Sequence, residues 1–221
     1  MKPYRYFADQ YERNPDPDLE LYAHYGHVLY AHKASEGRYH VDRCHWRRTR
    51  HAHELGLTVL HYHYCRPDQR SVPQEAVVFW DEARLTFQPG DYLALDFEQL
   101  ALGMTPIEAA GYIANLAFEL AQLSKHDPLV YGSTSFLTAN VGRGLLVARR
   151  RWEAAYGPKP GWGVWRRPWW AWQASDGVYG PQPHRLAGIP AGDVSVLNQR
   201  TALVLNLRFS RRRRRVQHHK S

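Results

Sequence analysis

The chain of 221 residues is long enough to form one domain with a sizeable hydrophobic core, and it is short for two such domains. Its 44% hydrophobic and 23% charged residues exclude a disordered chain, and no apolar run approaches the ~20 residues that span a bilayer. The net charge of +8 arises almost entirely after residue 207, so the nearly neutral body predicts no specific nucleic-acid partner.

The basic charge is concentrated at the C-terminus, where seven Lys or Arg residues, including Arg211 to Arg215, stand without an acid. This composition predicts one folded domain over residues 1–207 and a solvated, disordered tail over residues 208–221. Such a tail is also suited to an anionic wall polymer, a phosphate-rich lipid face or nucleic acid. The segment from Met1 to Arg5 lacks the apolar core of a signal peptide, so we expect no such signal.

Cysteine and histidine form no pattern that defines a metal centre. Cys44 and Cys65 are compatible with one disulfide or with two free thiols. No CxxC spacing or Cys/His ligand cluster is present, so we expect no metal and no other cofactor. His61 and His63 share one face of a predicted strand, which allows metal ligation but is more typical of a buried or groove-lining pair.

Predicted strands and helices alternate over the first 133 residues. Ser71-Val72-Pro73-Gln74 and Thr105-Pro106-Ile107-Glu108 predict helix starts, because a hydroxyl residue stands three positions before Gln or Glu. Asp42 is a further expected N-cap, and Gly26 and Gly56 end the helices that precede them. In chain order we predict strand 4–9, helix 19–25, strand 27–33, helix 42–55, strand 57–64, helix 71–85, strand 92–98, helix 105–126 and strand 129–133.

After about residue 145 the sequence changes to strands joined by loops rich in Gly, Pro and Trp. We predict strands over 149–156, 169–174 and 192–197, with no helix between them. Repeated strand–helix units imply a parallel sheet with helices packed outside it. Five such units followed by three strands predict the α/β class and a single-domain, TIM-like (β/α)5(β)3 barrel.

Four acids are candidates for an active site. Asp96 and Glu98 end the apolar strand that begins at Tyr92, and they point to one face because side chains alternate along a strand. In parallel barrels the carboxyl ends of the strands build the site, and an acid pair there suits glycoside cleavage. Asp9 ends the first predicted strand and Asp193 begins the last, so both could join the pair and raise a pKa. The alternative is that these acids are cap, turn or solvated loop residues.

A cluster of tryptophans is compatible with a carbohydrate groove. Flat apolar rings stack on sugar faces, while polar neighbours bind the hydroxyl groups. The alternative is that the rings cover a barrel that lacks its later helices, and we expect both uses. The cluster consists of Trp162, Trp165, Trp169, Trp170 and Trp172.

Six short motifs stand in order along the chain between about Tyr6 and Asn198. They are Phe7-Ala8-Asp9, His32-Lys33-Ala34-Ser35-Glu36-Gly37, His61-Tyr62-His63-Tyr64, Leu95-Asp96-Phe97-Glu98, Trp152 and Ala155-Tyr156-Gly157 with Trp172-Gln173, and Asp193. Together they resemble the lysozymes of glycoside hydrolase family 25, the 1,4-β-N-acetylmuramidases. The departures, Phe7-Ala8 for Gly-Ile, Ser35 for Thr and Glu153 for an apolar residue, remove no carboxylate.

The resemblance implies a barrel of five β/α units plus three strands. It implies hydrolysis of the bond between N-acetylmuramic acid and N-acetylglucosamine in bacterial walls, with retention of configuration. Glu98 would be the general acid, and Asp96 would orient and stabilise the reacting sugar, directly or through its N-acetyl group. Asp9 and Asp193 would set the charge and hydrogen bonding of the groove. Candidate substrate contacts are Glu36, Tyr62, Tyr131 and Trp172.

Two other functions stay open at this point. A chitinase-like hydrolase could use the same acids on chitin oligomers, and a non-catalytic protein could bind walls or nucleic acid through the Arg tail. The lysozyme hypothesis predicts a monomer that acts on peptidoglycan, with the tail attracted to anionic wall polymers. Without a signal peptide it fits a phage lysin released from the host cytoplasm, a virion-associated enzyme or a bacterial enzyme exported by a non-classical route.

Overall fold

A computed structural model describes residues 6–142, 150–156, 170–202 and 204–206. The predicted tail over 208–221 lies outside these residues, as do Trp162, Trp165 and Trp169. Within them a strand is followed by a helix five times, and three further strands follow the fifth helix. The elements are β1 (Tyr6–Gln10), α1 (Leu19–His24), β2 (Leu29–Glu36), β3 (His40–Val41), α2 (His45–Glu54), β4 (Thr58–Tyr64), a 3-10 turn (Pro67–Gln69), α3 (Val72–Ala83), β5 (Tyr92–Asp96), α4 (Pro106–Ser124), β6 (Leu129–Ser133), α5 (Thr134–Asn140), β7 (Arg151–Ala154), β8 (Ala171–Ser175) and β9 (Asp193–Leu197).

Eight of these strands close into a barrel. The order around the sheet is β1, β9, β8, β7, β6, β5, β4 and β2, and the pairing of β1 with β2 completes the ring. The two-residue strand β3 pairs only with β2, outside the ring. The predicted (β/α)5(β)3 barrel is therefore confirmed, and α5, which the sequence analysis did not delimit, supplies the fifth helix.

The direction of β9 differs from the parallel sheet that the repeated units imply. β9 pairs antiparallel with both β1 and β8, while the other ring pairs are parallel. With no helix between β8 and β9 to carry the chain back along the barrel, the last strand returns in the opposite direction. The first residue of β9 therefore lies at the end of the barrel where the parallel strands finish.

Of the three predicted helix caps, one forms as predicted and two do not. The Thr105 box forms as predicted, since the side chain of Glu108 accepts from the Thr105 amide at 2.8 Å. Ser71 precedes α3 but makes no side-chain cap, so that prediction of a capping box was wrong. Asp42 was also wrongly predicted as an N-cap: α2 starts three residues later, and the Asp42 carboxylate accepts from the amides of Glu12 and Cys44 at 2.7 and 2.9 Å.

Aromatic side chains fill the barrel interior below the strand ends. The rings of Phe7 and Trp152 have centroids 5.6 Å apart, and those of Tyr131 and Trp152 are 4.5 Å apart. Trp170, the described member of the tryptophan cluster that packs inward, contacts Phe7. Because the interior is packed, a ligand has access to the barrel axis only at its mouth.

Behind β4, between the sheet and its helices, lies a buried histidine–carboxylate network formed by His45, His53, His61, Glu82 and Asp91. His45 contacts Glu82 at 2.7 Å and His61 at 2.8 Å, and Asp91 lies 2.9 Å from His53 and 3.5 Å from His61. His61 therefore belongs to a buried cluster and not to a groove. Its neighbour on the same face, His63, is also fully buried.

The remaining structural expectations concern cysteines, metals and membranes. Cys44 and Cys65 are free thiols. Over the described ranges, no group of three or more His, Cys, Asp or Glu side chains is arranged to hold a metal ion. No helix in the same ranges has the length and apolar character needed to cross a membrane.

Candidate active site

The end of β5 places Asp96 and Glu98 on the inner side of the barrel mouth. Phe97 between them is fully buried on the other side of the strand, against Tyr112 and Phe136. A side chain at Gly132 of the neighbouring β6 would come within 2.5 Å of the Phe97 carbonyl oxygen. Because Gly132 has no side chain, β6 can lie close to the Phe97 backbone. This close packing allows Glu98 to face the barrel mouth beside Asp96.

Asp9 and Asp193 form the second pair of acids. They are direct partners in the antiparallel ladder between β1 and β9, which places their Cα atoms about 4.5–5.5 Å apart. Gly192, with φ of +148°, comes so close to β1 that a Cβ would lie 2.8 Å from the Asp9 carbonyl oxygen. The antiparallel return of β9 and this glycine together bring Asp193 to Asp9.

The two pairs face one cavity of about 220 Å³, which we call the acid pocket. Asp9 and Asp96 are buried and Asp193 is half-buried, while Glu98 is the most exposed of the four residues although its carboxyl group has lost part of its contact with solvent. The predicted convergence of these acids at the mouth of the barrel is what the structure shows. The other residues that line the pocket are Tyr11, Asn14, Lys33, Tyr62, Tyr64, Tyr131, Trp152 and Gly192.

All four acids have raised pKa values, and loss of solvent is the largest cause for each. The pKa of Asp193 rises to about 6. Negative charge on Asp193 and Glu98 raises the pKa of Asp9 further, and charge on Glu98 and Asp9 does the same for Asp96. Like charges this close make it costly for all four groups to be ionised together, so the pocket favours retention of a proton.

The buried acids also lack hydrogen-bond donors. Oδ2 of Asp9 and Oδ1 of Asp96 are buried, and each finds no donor among the described residues. The Lys33 ammonium opposes the rise in the pKa of Asp96 and so favours its ionised form. A buried acceptor without a donor is costly, so these two oxygens are positions where a polar group of a ligand would be stabilising.

Gln173 is a site residue that the sequence analysis did not single out. Its side chain accepts a hydrogen bond from the Tyr131 hydroxyl and donates one to Asp193. From its position in β8, Gln173 thereby links Tyr131 of β6 to Asp193 of β9. The motif Trp172-Gln173 carried the signal, but only the barrel interior shows which of the two residues faces inward.

Lys33 and Glu36 reach the mouth because β2 is irregular. The register with β4 shifts between Lys33 and Ser35, as in a β-bulge. In a regular strand, residues 33 and 36 would point to opposite faces, whereas here the Lys33 ammonium lies 2.9 Å from the Glu36 carboxylate. Behind the bulge, the Ser35 hydroxyl lies 2.9 Å from His63, which in turn lies 3.0 Å from the buried Glu75.

The predicted substrate contacts divide between three places. Tyr62 and Tyr131 line the acid pocket. Glu36 lies in a neighbouring groove, paired with Lys33 and Arg66. Trp172 does not line the pocket among the described residues, and its indole N–H donates to the Ala155 carbonyl oxygen at 2.8 Å.

A closed β/α barrel with an acid cluster at the carboxyl ends of its strands is an arrangement suited to glycoside hydrolysis. The profile of the family described as Glycosyl hydrolases family 25 matches residues 9–181, which is most of the chain. The chain therefore belongs to this family, and it is a glycoside hydrolase. No curated protein sequence matches the chain.

Solved structures share the fold. A bacterial lysozyme from Streptomyces coelicolor superimposes with a TM-score of 0.74 at 19% identity, over 92% of this chain and 97% of that one. A family 25 lysozyme from Aspergillus fumigatus gives 0.73 at 20% identity, over 92% and 98%. A family 25 glycosyl hydrolase from Bacillus anthracis gives 0.75 at 16% identity, over 89% of both chains. At such identities these likenesses establish the fold and not the substrate.

Proposed function

We propose that this glycoside hydrolase is a lysozyme that cleaves the β-1,4 bond between N-acetylmuramic acid and N-acetylglucosamine in peptidoglycan. The observation that carries the proposal is the convergence of Asp9, Asp96, Glu98 and Asp193 on one pocket of a family 25 chain. The naming of the Streptomyces coelicolor and Aspergillus fumigatus structures as lysozymes supports the choice of peptidoglycan over other glycans.

Glu98 is the general acid in this proposal. Its carboxyl group stands at the rim of the acid pocket, and partial burial raises its pKa, which favours the protonated form that a general acid needs. That proton passes to the glycosidic oxygen as the bond between this oxygen and the anomeric carbon breaks. The Glu98 carboxylate then accepts a proton from the water that attacks the sugar.

Asp96 stabilises the positive charge that develops on the sugar when the bond breaks. Its carboxyl group is buried and has one oxygen without a donor among the described residues, and Lys33 opposes the rise in its pKa that burial and the neighbouring acids cause. An anion fixed in a pocket of low dielectric interacts strongly with a developing cation, directly or through the substrate's N-acetyl group. The N-acetyl N–H is also a donor suited to the unpaired oxygen.

Asp9 and Asp193 set the charge and hydrogen bonding of the pocket. Their negative charge raises the pKa of Asp96 and Tyr62, and Gln173 fixes the orientation of Asp193. Tyr62 and Tyr131 add aromatic surface on which a sugar ring packs.

The test is to digest purified bacterial peptidoglycan with the wild-type protein and with the Glu98→Gln variant, and to identify soluble fragments by mass spectrometry. We expect fragments with reducing N-acetylmuramic acid from the wild type and at least a hundredfold fewer from the variant, in line with the typical effect of losing a general acid, about 10²–10⁴-fold. Glu54→Gln is the matched control, because Glu54 is an exposed residue of α2 outside the acid pocket.

Three results would contradict the proposal. Fragments with reducing N-acetylglucosamine would place the cleavage at the other glycosidic bond. Release of oligomers from chitin but not from peptidoglycan would indicate a chitinase-like enzyme. Equal activity of the wild type and Glu98→Gln would remove Glu98 from the mechanism.

A further inference from the structure

A second and larger cavity, which we call the outer groove, opens directly from the acid pocket. Its volume is about 540 Å³, against about 220 Å³ for the acid pocket. The two cavities share Tyr11, Lys33 and Tyr64, with the Lys33 ammonium 5.2 and 5.6 Å from the centres of the two rings. A ligand that fills the acid pocket can therefore extend past Lys33 into the outer groove.

The charge of the wall changes between the two cavities. Among the described residues, four carboxyl groups and one ammonium, that of Lys33, line the acid pocket. The outer groove is lined by the cations of Arg13, Lys33 and Arg66 and by the carboxylates of Glu12 and Glu36. An elongated ligand thus meets negative potential at the cleavage position and mixed charge beside it.

The charges of the outer groove are held in place. Glu36 lies between Lys33 and Arg66, at 2.9 Å from each, and Asp68 fixes the other edge of the Arg66 guanidinium at 2.9 Å. Arg13, by contrast, is exposed, and no carboxylate of the described residues lies within ion-pair distance of it. The groove therefore combines an ordered row of alternating charges with one free guanidinium.

Mixed charge of this kind suits a peptide better than a further length of neutral glycan. Hydroxyl groups of a sugar form weaker hydrogen bonds with ions than ions form with each other, whereas carboxylate–guanidinium pairs are short and directional. Muramic acid carries, on its lactyl ether, a short peptide that has free carboxylates and in many walls a free amine. The sugar in the acid pocket and this peptide are joined covalently, as the two cavities are joined at Lys33.

We propose that the outer groove binds the peptide stem of peptidoglycan, with stem carboxylates on Arg13 and Arg66 and cationic groups toward Glu12 and Glu36. The inference rests on the proposed muramidase function, because the stem is attached to the sugar that the acid pocket would hold. It makes the enzyme selective for glycan strands that still carry their peptides.

The test compares stem-bearing glycan strands with the same strands after an amidase has removed the stems. The variant Arg13→Gln/Arg66→Gln removes two cations of the groove, and Arg50→Gln/Arg84→Gln removes two exposed cations from α2 and from the end of α3. We expect the KM of the groove variant to rise about tenfold on stem-bearing strands, the effect of losing roughly one charged hydrogen bond. Its rise on stripped strands should be at least five times smaller, and the control variant should change neither.

An equal rise in KM on both substrates, or no rise on either, would overturn the stem subsite while leaving the muramidase function intact. Arg13→Gln alone breaks no ion pair of the described residues, so it repeats the comparison without a risk to folding. Binding of the free stem peptide, measured by calorimetry with the wild type and Arg13→Gln, needs no turnover. If the wild type cleaves neither substrate, the proposed function fails, and calorimetry alone decides whether the groove binds the peptide.

Discussion

Two of the regions in which the barrel buries carboxyl groups treat them in opposite ways. In the histidine–carboxylate network behind β4, both oxygens of Asp91 have donors: the Val59 amide at 3.0 Å, the Gln88 amide at 2.7 Å and His53 at 2.9 Å. Burial raises the pKa of Asp91, but the contacts with His53 and His61 outweigh this and hold the pKa well below its usual range. In the acid pocket, Asp9 and Asp96 each keep a buried oxygen without a donor, and their pKa values are raised.

The difference separates a carboxylate that holds the fold together from one that is kept for a ligand. Asp91 joins β4 to the turn before β5 and to α2, so its charge is matched by groups that are present at all times. Asp96 has no such donors among the described residues, and it faces a cavity. Unmatched buried charge costs folding free energy, and a protein retains it where the charge acts on a substrate.

The largest effect that tests this comparison is the loss of activity in Asp96→Asn. Amide for carboxylate keeps the shape of the side chain and removes the charge that would stabilise the cationic sugar, so we expect kcat to fall about 10²–10³-fold. The free energy of unfolding should stay the same or rise, because a desolvated charge is lost. Release of reducing sugar from peptidoglycan and urea denaturation measure the two quantities.

Asp81→Asn, which alters an exposed carboxylate of α3 paired with Arg84, is the matched control for charge. Near wild-type activity of Asp96→Asn would show that the pocket does not need this anion. A loss of activity that merely follows a loss of folded protein would place Asp96 with Asp91 as a structural residue.

Asp91→Asn should have the opposite effects to Asp96→Asn, with a loss of stability and little loss of activity. The amide nitrogen cannot accept from the Gln88 amide or from His53, so we expect the free energy of unfolding to fall by about 3 kcal/mol. Activity of the molecules that remain folded should be close to that of the wild type. The lowered pKa of Asp91 stabilises the fold at pH values above the pKa of an unfolded Asp, about 4, and this contribution is lost as pH falls further. The difference in free energy of unfolding between the wild type and Asp91→Asn should therefore shrink below about pH 4. A constant difference down to pH 2 would contradict this account.

Much of this contrast was accessible from the sequence. The alternation in Leu95-Asp96-Phe97-Glu98 predicted that both acids share a face, and the repeated strand–helix units predicted the barrel on which they meet. The meeting of Asp9 with Asp193 was predicted as well, but not its reason. In a fully parallel barrel the first residue of the last strand would lie at the wrong end, and the antiparallel direction of β9 resolves this.

Other features depend on register between strands, which a single sequence does not specify. The bulge that turns Lys33 and Glu36 to the same side is a shift of one residue against β4. Gln173, and not its neighbour Trp172, contacts Asp193 because of the side of β8 that faces the interior. For His61 and His63, alternation predicted a shared face but not that this face packs against helices.

The smallest expected effect concerns the pH dependence of folding, and it compares the two regions directly. His61 in the histidine–carboxylate network has a pKa lowered to about 4 by burial, so the fold loses stability as pH falls from about 6.5 toward 4, where only the unfolded chain takes up the proton. Asp193 in the acid pocket has a pKa raised to about 6, so its ionisation costs stability above pH 6 and costs nothing once pH falls below about 4. The two regions therefore oppose each other across the same pH range.

Asp193→Asn isolates the second contribution, because the amide keeps an oxygen that accepts from Gln173 and carries no charge. A rise of about two pKa units is equivalent to roughly 2–3 kcal/mol, and partial exposure to solvent reduces this, so we expect the variant to be more stable than the wild type by about 1–2 kcal/mol at pH 8. The gain should shrink as pH falls from 6 to 4 and vanish below about pH 3, where the wild-type carboxyl group is protonated in both states. Urea denaturation of both proteins at several pH values measures this difference, in which the contribution of His61 cancels. A gain that is the same at pH 4 and pH 8 would mean that the amide packs better, and that the acid pocket carries no unmatched charge at Asp193.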